Sequence, residues 1–139
     1  MRTATAIAAT LVVAAIVAAG AQAPAPSAGS APTFKRTVLQ QADITVPGRE
    51  VVSAVAEFQP GATPGRHTHP GEEVGYVIDG TVLVEQEGKP GQTLKAGQSF
   101  LIPAGTIHNA TNTGSGVARI LATYIVEKGK PLATPAPSK

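Results

Sequence analysis

The sequence has no cysteine and no tryptophan, and only 4% of its 139 residues are aromatic. The absence of cysteine excludes disulfides, thiolate metal ligands, a cysteine nucleophile and a lipid-modified cysteine at the end of a leader. Any bound metal must therefore be held by nitrogen and oxygen atoms. The few aromatic side chains also offer little surface on which nucleic-acid bases would stack.

Charge is scarce as well. Charged residues make up 14% of the chain and the formal net charge is +2. Lys35-Arg36 is the only adjacent basic pair, so no positive stripe is available to follow a phosphate backbone. We expect no nucleic-acid partner. The length suits one domain, and the 42% apolar content is that of a folded chain.

The N-terminus has the composition of a secretory signal peptide. A basic residue, Arg2, precedes an uncharged apolar run from about Ala4 to Ala19, and small residues follow it. We predict a signal peptide at residues 1–21; cleavage after Ala23 is the alternative, although a proline would then follow the cut. The apolar run is shorter than the roughly 20 residues of a spanning helix, so we expect a periplasmic or secreted protein without a stable membrane anchor.

Two segments rich in Pro, Ala and Ser flank the central part of the chain. Such segments bury too little apolar surface to offset the entropy lost on ordering. The composition therefore predicts a flexible linker at residues 22–32 and a disordered tail at residues 131–139. A single domain at residues 33–130 remains between them.

Short β-prone runs separated by Gly and Pro turns fill this domain. Glu50 to Phe58 is one such run, and Asp79-Gly80 joins two others, Glu73 to Asp79 and Thr81 to Glu87, in the pattern of a hairpin. No segment after the leader has the length, period and caps of a helix. We predict an all-β fold, either a sandwich or a barrel.

The three histidines are arranged in a pattern that favours a metal site. His67 and His69 are two residues apart, Glu73 follows them, and His108 comes later in the chain. Residues two apart on a strand share a face, so both histidines can point inward. Imidazole nitrogen and carboxylate oxygen suit a divalent manganese, iron, nickel, copper or zinc ion.

These residues fall within two patterns that resemble the paired sequence motifs of the cupins. The first resembling set comprises Gly61, His67, His69, Glu73 and Gly80, and the second comprises Gly97, Pro103, Gly105, His108 and Asn112. The resemblance is to small single-domain, dioxygenase-like cupins with both motifs intact. It implies a jelly-roll β-barrel with one metal bound by His67, His69, Glu73 and His108, and it implies a homodimer, for which the β-prone stretch Phe34 to Val46 is the candidate exchanging edge.

Several other residues are weaker candidates. The motif spacing selects Glu73 over Glu72, which we expect to face outward. Asn112 has two open interpretations, a place near the metal or a role in turn hydrogen bonding. Cavity lining and anion binding are possible for a further set, but packing or surface charge is favoured for each: Tyr76, Glu57, Phe100, Tyr124, Arg66 and Arg119.

Three functions are compatible with this pattern. The favoured one is a metal-dependent oxidoreductase that acts on a small oxygenated organic substrate, with Glu73 as a ligand or a base. The second is a non-catalytic periplasmic protein that binds a metal or a small ligand. The third is a metal-dependent isomerase or lyase, for which Tyr76 or Tyr124 would have to supply the additional proton-transfer group.

Overall fold

Alternation between apolar and polar side chains shapes the strands of this protein. The computed structural model describes residues 33–138, which form β-strands and no helix. Every second residue of the Arg49–Phe58 strand is buried, which is the pattern of a strand with one face toward a core. In chain order the strands are β1 Phe34–Asp43, β2 Arg49–Phe58, β3 His67–Thr68, β4 Gly71–Asp79, β5 Thr81–Gln86, β6 Gln92–Lys95, β7 Ser99–Ile102, β8 His108–Asn112, β9 Ala118–Glu127 and β10 Thr134–Pro135.

The strands form two five-stranded antiparallel sheets. The first has the order β1-β2-β9-β4-β7, and the second has the order β10-β3-β8-β5-β6. Inward residues of both sheets share one apolar core, so the sheets pack face to face. The predicted all-β jelly-roll fold is thereby confirmed, as two facing sheets in the part of the chain described.

The core combines small and large side chains. Ala54 and Ala122 lie opposite each other on β2 and β9, and Ala122 is in turn opposite Gly75 on β4. A Cβ added to Gly75 would lie 2.1 Å from Cζ of Phe100, so the glycine makes room for that ring. The small residues on the first sheet thus leave space inside the jelly roll for an aromatic ring and a cavity.

The predicted hairpin at Asp79-Gly80 is wrong, although both of its strands exist. β4 pairs with β9 and β7, whereas β5 pairs with β6 and β8, so the chain crosses from one sheet to the other at this point. Gly80 has a φ of 83°, and a Cβ there would lie 2.7 Å from Cβ of Ala118. Asp79-Gly80 does form a turn, but β4 cannot pair with β5 because β9 and β7 already occupy both of its edges.

The C-terminal segment differs from its prediction as a disordered tail. Within residues 131–138, β10 pairs with β3, with Thr134 opposite Thr68 and Pro135 opposite His67. Leu132 packs against the core, which gives the segment an apolar anchor that its composition does not reveal. The predicted signal peptide at 1–21 and linker at 22–32 lie outside the described residues. Residues 33–138 contain no helix long and apolar enough to cross a membrane.

Candidate metal centre

The structure brings the three histidines and Glu73 to one place between the sheets. His67 on β3 and His108 on β8 are cross-strand partners, and their ring centroids are 4.3 Å apart. The His69 ring lies 4.8 Å from that of His67 and 5.0 Å from that of His108. Glu73 points inward from β4, and all four residues are buried. One ring nitrogen from each histidine lies within 4.8 Å of the others.

Backbone carbonyls orient all three imidazole rings. Nδ1 of His67 donates to the Gly65 carbonyl at 2.7 Å, Nδ1 of His69 to Leu132 at 2.5 Å, and Nδ1 of His108 to Thr106 at 2.9 Å. A carbonyl oxygen can only accept, so each Nδ1 carries the proton in the neutral ring. Each Nε2 is then left with its lone pair, which is the form that coordinates a metal.

Glu73 faces two of these nitrogens. Its Oε2 lies 3.1 Å from Nε2 of His69 and 3.1 Å from Nε2 of His108. Burial alone would raise the pKa of Glu73, but the imidazole rings of His108 and His69 beside its carboxylate, which favour the anion when they carry positive charge, outweigh it and lower the pKa to about 2. Glu73 is therefore an anion at neutral pH.

His67 is held neutral. Burial is the main effect that lowers its pKa to about 4, and the neighbouring His108 and His69 add to it against the carbonyl of Gly65. A neutral imidazole is the metal-binding form, and a site of histidines with one carboxylate has the mixed nitrogen and oxygen character that borderline divalent ions prefer.

An unpaired buried atom shows that these residues fit a cation. Nε2 of His69 is buried and has no partner in hydrogen-bonding geometry, although Oε2 of Glu73 is near. With Nδ1 protonated, this nitrogen presents a lone pair to a carboxylate, an arrangement of two acceptors that a positive ion would stabilise. The donor set therefore suits one metal ion, and it leaves the identity of the metal open.

The weaker candidates are sorted by where they point. Asn112 is fully buried, and its side chain hydrogen-bonds to the backbone. Its amide nitrogen donates to the carbonyls of Phe58 and Gly116, and its oxygen accepts from the N–H of Gly114. Of the two interpretations of Asn112, the structure therefore supports the role in turn hydrogen bonding. Tyr76 is 48% exposed on the outer face of β4. Glu72 points to that same outer face, whereas the next residue, Glu73, points inward.

The two arginines named from the sequence are surface residues with acidic partners. Arg66 pairs with Glu87 at 3.0 Å, and Arg119 pairs with Glu57 at 3.0 Å and with Asp79 at 3.2 Å. The pairing with Glu57 and Asp79 raises the pKa of Arg119. The ion pair with Arg119 therefore holds the Glu57 carboxylate at the surface, outside the cavity.

A small cavity of about 20 Å³ adjoins the histidine cluster; together with the solvent space at its open mouth the empty volume is about 350 Å³. Phe100 and Tyr124 line it, as the sequence allowed, and the Tyr124 ring meets the His69 ring edge to face at 4.7 Å. Burial is the main cause that raises the pKa of Tyr124, so its phenol is neutral at physiological pH. Phe34 and Arg36 also line the cavity. The sequence analysis missed both, and their alternation with exposed neighbours on β1 is the pattern that indicates them.

The part of the chain that contains this site matches the sequence model of a known protein family. Residues 54–124, about half of the chain, match the family model described as "Cupin domain". The matched segment contains all four residues of the cluster.

Several characterised proteins are similar over this region. The chain is 37% identical over 79 residues to the HTH-type transcriptional regulator PuuR of Escherichia coli strain K12, an alignment that covers 56% of this chain and 42% of the regulator. It is 38% identical over 84 residues to the beta-alanine degradation protein BauB of Pseudomonas aeruginosa, covering 59% and 88% of the two chains. Oxalate oxidase 2 of Hordeum vulgare is 33% identical over 76 residues, covering 49% and 34%. The chain thus spans less than half of the regulator and of the oxidase.

Solved structures show the same fold. A recombinant oxalate oxidase in complex with glycolate superposes with a TM-score of 0.55 at 28% identity, covering 61% of this chain and 45% of that one. A Klebsiella pneumoniae protein with a double-stranded β-helix domain superposes with a TM-score of 0.60 at 23% identity, covering 76% and 87%. The fold, the family match and the paired motifs agree, and the chain belongs to the cupin family.

Proposed function

We propose that this protein is an exported metal-dependent cupin, in which one divalent ion bound by His67, His69, Glu73 and His108 serves an oxidoreductase that acts on a small oxygenated organic substrate. The observation that carries the proposal is the common orientation of the imidazole rings. All three are fixed through Nδ1 by backbone carbonyls, which leaves each Nε2 free to coordinate. The similarity to oxalate oxidases supports the choice of an oxidative reaction.

A bound ion would supply Lewis acidity, lowering the pKa of a coordinated substrate oxygen or water and leaving positions open for a second ligand. Fe, Mn, Ni, Cu and Zn all suit the donor set. The cluster residues are buried although the mouth of the cavity is open, and Phe58, Phe100 and Ile120 form much of the apolar wall that shields them from bulk water. Water exclusion strengthens the electrostatic interactions within the cavity.

Glu73 suits the role of ligand better than that of base in this geometry. A carboxylate with a pKa of about 2 accepts a proton poorly at neutral pH. The adjacent rings of His108 and His69 lower that pKa, so Glu73 would become a stronger base only on moving away from both rings. A catalytic role for Glu73 as base therefore requires that its carboxylate leave these contacts during the reaction.

The residues in and around the cavity also bear on the two competing functions. An isomerase or lyase needs a proton-transfer group beyond the ligands, and Tyr76 points away from the cavity. Tyr124 remains, but its raised pKa makes the phenolate inaccessible near neutrality. A non-catalytic binding protein is the second candidate, because the cavity wall is mostly apolar and offers few groups for chemistry.

Metal content tests the proposal first. The wild type should bind about one ion per chain, and Glu73→Ala and His108→Ala should each lose most of it. Glu72→Ala is the matched control, because Glu72 is the adjacent carboxylate on the outer face of β4. Elemental analysis on folded protein gives the measurement. A wild type that takes up no metal would overturn the proposal.

Oxygen uptake then separates the two candidate functions. The metal-loaded protein is incubated with hydroxy acids, diketones, catechols and flavonols, and dissolved oxygen and products are followed with and without air. Metal-dependent oxygen consumption that Glu73→Ala abolishes would support the oxidoreductase. Tight binding of one of these compounds without chemical change would favour the binding protein instead.

A further inference from the structure

Arg36 occupies an unusual position for a charged residue. It lies on the edge strand β1 directly opposite Ala56 of β2, whose side chain is in the core. Because Arg36 shares that inner face, its side chain lines the cavity beside the histidine cluster. Its guanidinium carbon lies 5.5 Å from the centroid of the Tyr124 ring and 5.6 Å from that of Phe34. Tyr124 thus separates the guanidinium from His69.

The guanidinium lacks an acidic partner. Nε of Arg36 is buried and makes no hydrogen bond, and no ion pair within residues 33–138 involves this side chain. Arg36 is also the only Lys or Arg among the described residues that line this cavity. Arg36 is half-buried, and its Nε is shielded from solvent without a hydrogen-bond acceptor, so an arriving carboxylate would supply the missing acceptor.

The remaining cavity wall is apolar. Aromatic and aliphatic side chains surround the space between the arginine and the histidines, namely Phe34, Phe58, Phe100, Val84, Ile120, Ala56 and Ala110. The enclosed space is only about 20 Å³, enough for roughly one water molecule, but Phe34, Arg36 and His67 also line an adjacent pocket of about 180 Å³. A ligand would therefore bind in this outer pocket, with one charged end at Arg36 and an apolar body against Phe34; Arg66, the other basic residue there, is already paired with Glu87.

We propose that Arg36 binds the carboxylate of the substrate, and that the substrate is a small carboxylic acid with an apolar body and a second oxygen atom that reaches the metal. The planar fork of a guanidinium matches a carboxylate through paired hydrogen bonds. A phosphate dianion fits less well, since one arginine would balance it while the anionic Glu73 lies in the same cavity. The position of the second oxygen rests on the proposed metal site, whereas the Arg36–carboxylate pair does not.

Benzoate and benzamide are suitable probes because they share shape and apolar body and differ in charge. Their affinities for the full chain are measured by calorimetry or NMR titration for the wild type, Arg36→Gln, Arg36→Lys and Lys35→Gln. Lys35→Gln is the matched control: it removes the same charge from the adjacent, exposed position of β1. Circular dichroism establishes that each variant is folded.

The wild type should prefer benzoate over benzamide by roughly tenfold, as expected for a charge-assisted pair with a half-buried guanidinium. Arg36→Gln should lose that preference and Lys35→Gln should keep it. Arg36→Lys retains the charge without the fork, so its preference should fall between the two; this variant decides the matter if Arg36→Gln does not fold. An unchanged preference in Arg36→Gln, or none in the wild type, would overturn the inference.

Metal content of the same samples separates this inference from the proposed function. A wild type without metal that still shows an Arg36-dependent preference for benzoate would refute the metal-dependent function and leave the carboxylate site standing. A wild type with one metal per chain but no such preference would refute the carboxylate site and leave the metal centre standing.

Discussion

Truncation of the chain after Lys130 should weaken metal binding, because the C-terminal segment orients a proposed ligand. The carbonyl of Leu132 accepts the hydrogen bond from Nδ1 of His69 at 2.5 Å, and β10 pairs with β3, the strand of His67. Removal of both contacts leaves His69 free to rotate and to change tautomer. Outer contacts of this kind typically contribute about 10–100-fold in metal affinity, or roughly 1.4–2.7 kcal/mol.

Two controls isolate the carbonyl from the rest of the segment. A chain that ends at Ala136 keeps Leu132, β10 and the hydrogen bond from the Ala136 N–H to the Arg66 carbonyl, and should bind metal normally. Leu132→Ala removes the side chain that packs on the core but keeps the carbonyl, so it should lower the free energy of unfolding with a smaller effect on metal affinity.

Competition with a chromophoric chelator at pH 7 measures the affinities, and urea denaturation measures the stabilities. The reasoning is refuted if the chain that ends at Lys130 binds metal as tightly as the full chain. It is also refuted if Leu132→Ala loses as much affinity as the truncation, since side-chain packing would then be the cause.

Three further predictions follow from other parts of the molecule. Gly75→Ala should lower the free energy of unfolding by about 1–3 kcal/mol, because the new Cβ would lie 2.1 Å from Cζ of Phe100; urea denaturation checks this, and an unchanged midpoint would contradict it. The metal-free protein should lose stability as the pH falls from 6.5 toward 4, since the unfolded chain protonates His67 in that range while burial keeps the folded pKa at about 4; His67→Gln should flatten this dependence in denaturation curves. The protein should form a homodimer by light scattering, because Val38 and Leu39 on edge strand β1 are 52% and 59% exposed; Leu39→Asp should shift it toward the monomer, and a variant that stays dimeric would contradict an interface at β1.

The inward direction of the site residues was predictable from local periodicity. His67, His69, Gly71 and Glu73 alternate with less buried residues, so the two-residue period continues from β3 into β4. The motif spacing selected Glu73 over Glu72, and the buried position of Glu73 in this alternation agrees with that choice. Three glycines of the two motifs, Gly61, Gly97 and Gly105, have positive φ values of 77°, 89° and 69°, a conformation that glycine adopts without the steric cost of a Cβ.

Partners distant in the chain were harder to predict. Asp79-Gly80 has the composition of a hairpin turn, yet its strands join different sheets because β9 and β7 occupy the edges of β4. Arg36 was read only as half of a basic pair, since its place at the cavity depends on how β1 pairs with β2. Such pairings depend on competition among all the strands.

Composition and turn pattern were enough to predict the all-β class and to exclude thiol chemistry, and the two-residue period placed His67 and His69 on one face. The choice of Glu73 and His108 as the further ligands came from the spacing of the two motifs that resemble those of the cupins. Only the tertiary structure decided that Leu132 orients His69, that β10 covers β3 and that Arg36 lines the cavity. Those contacts join residues far apart in the chain, and their formation depends on the simultaneous packing of both sheets around one core.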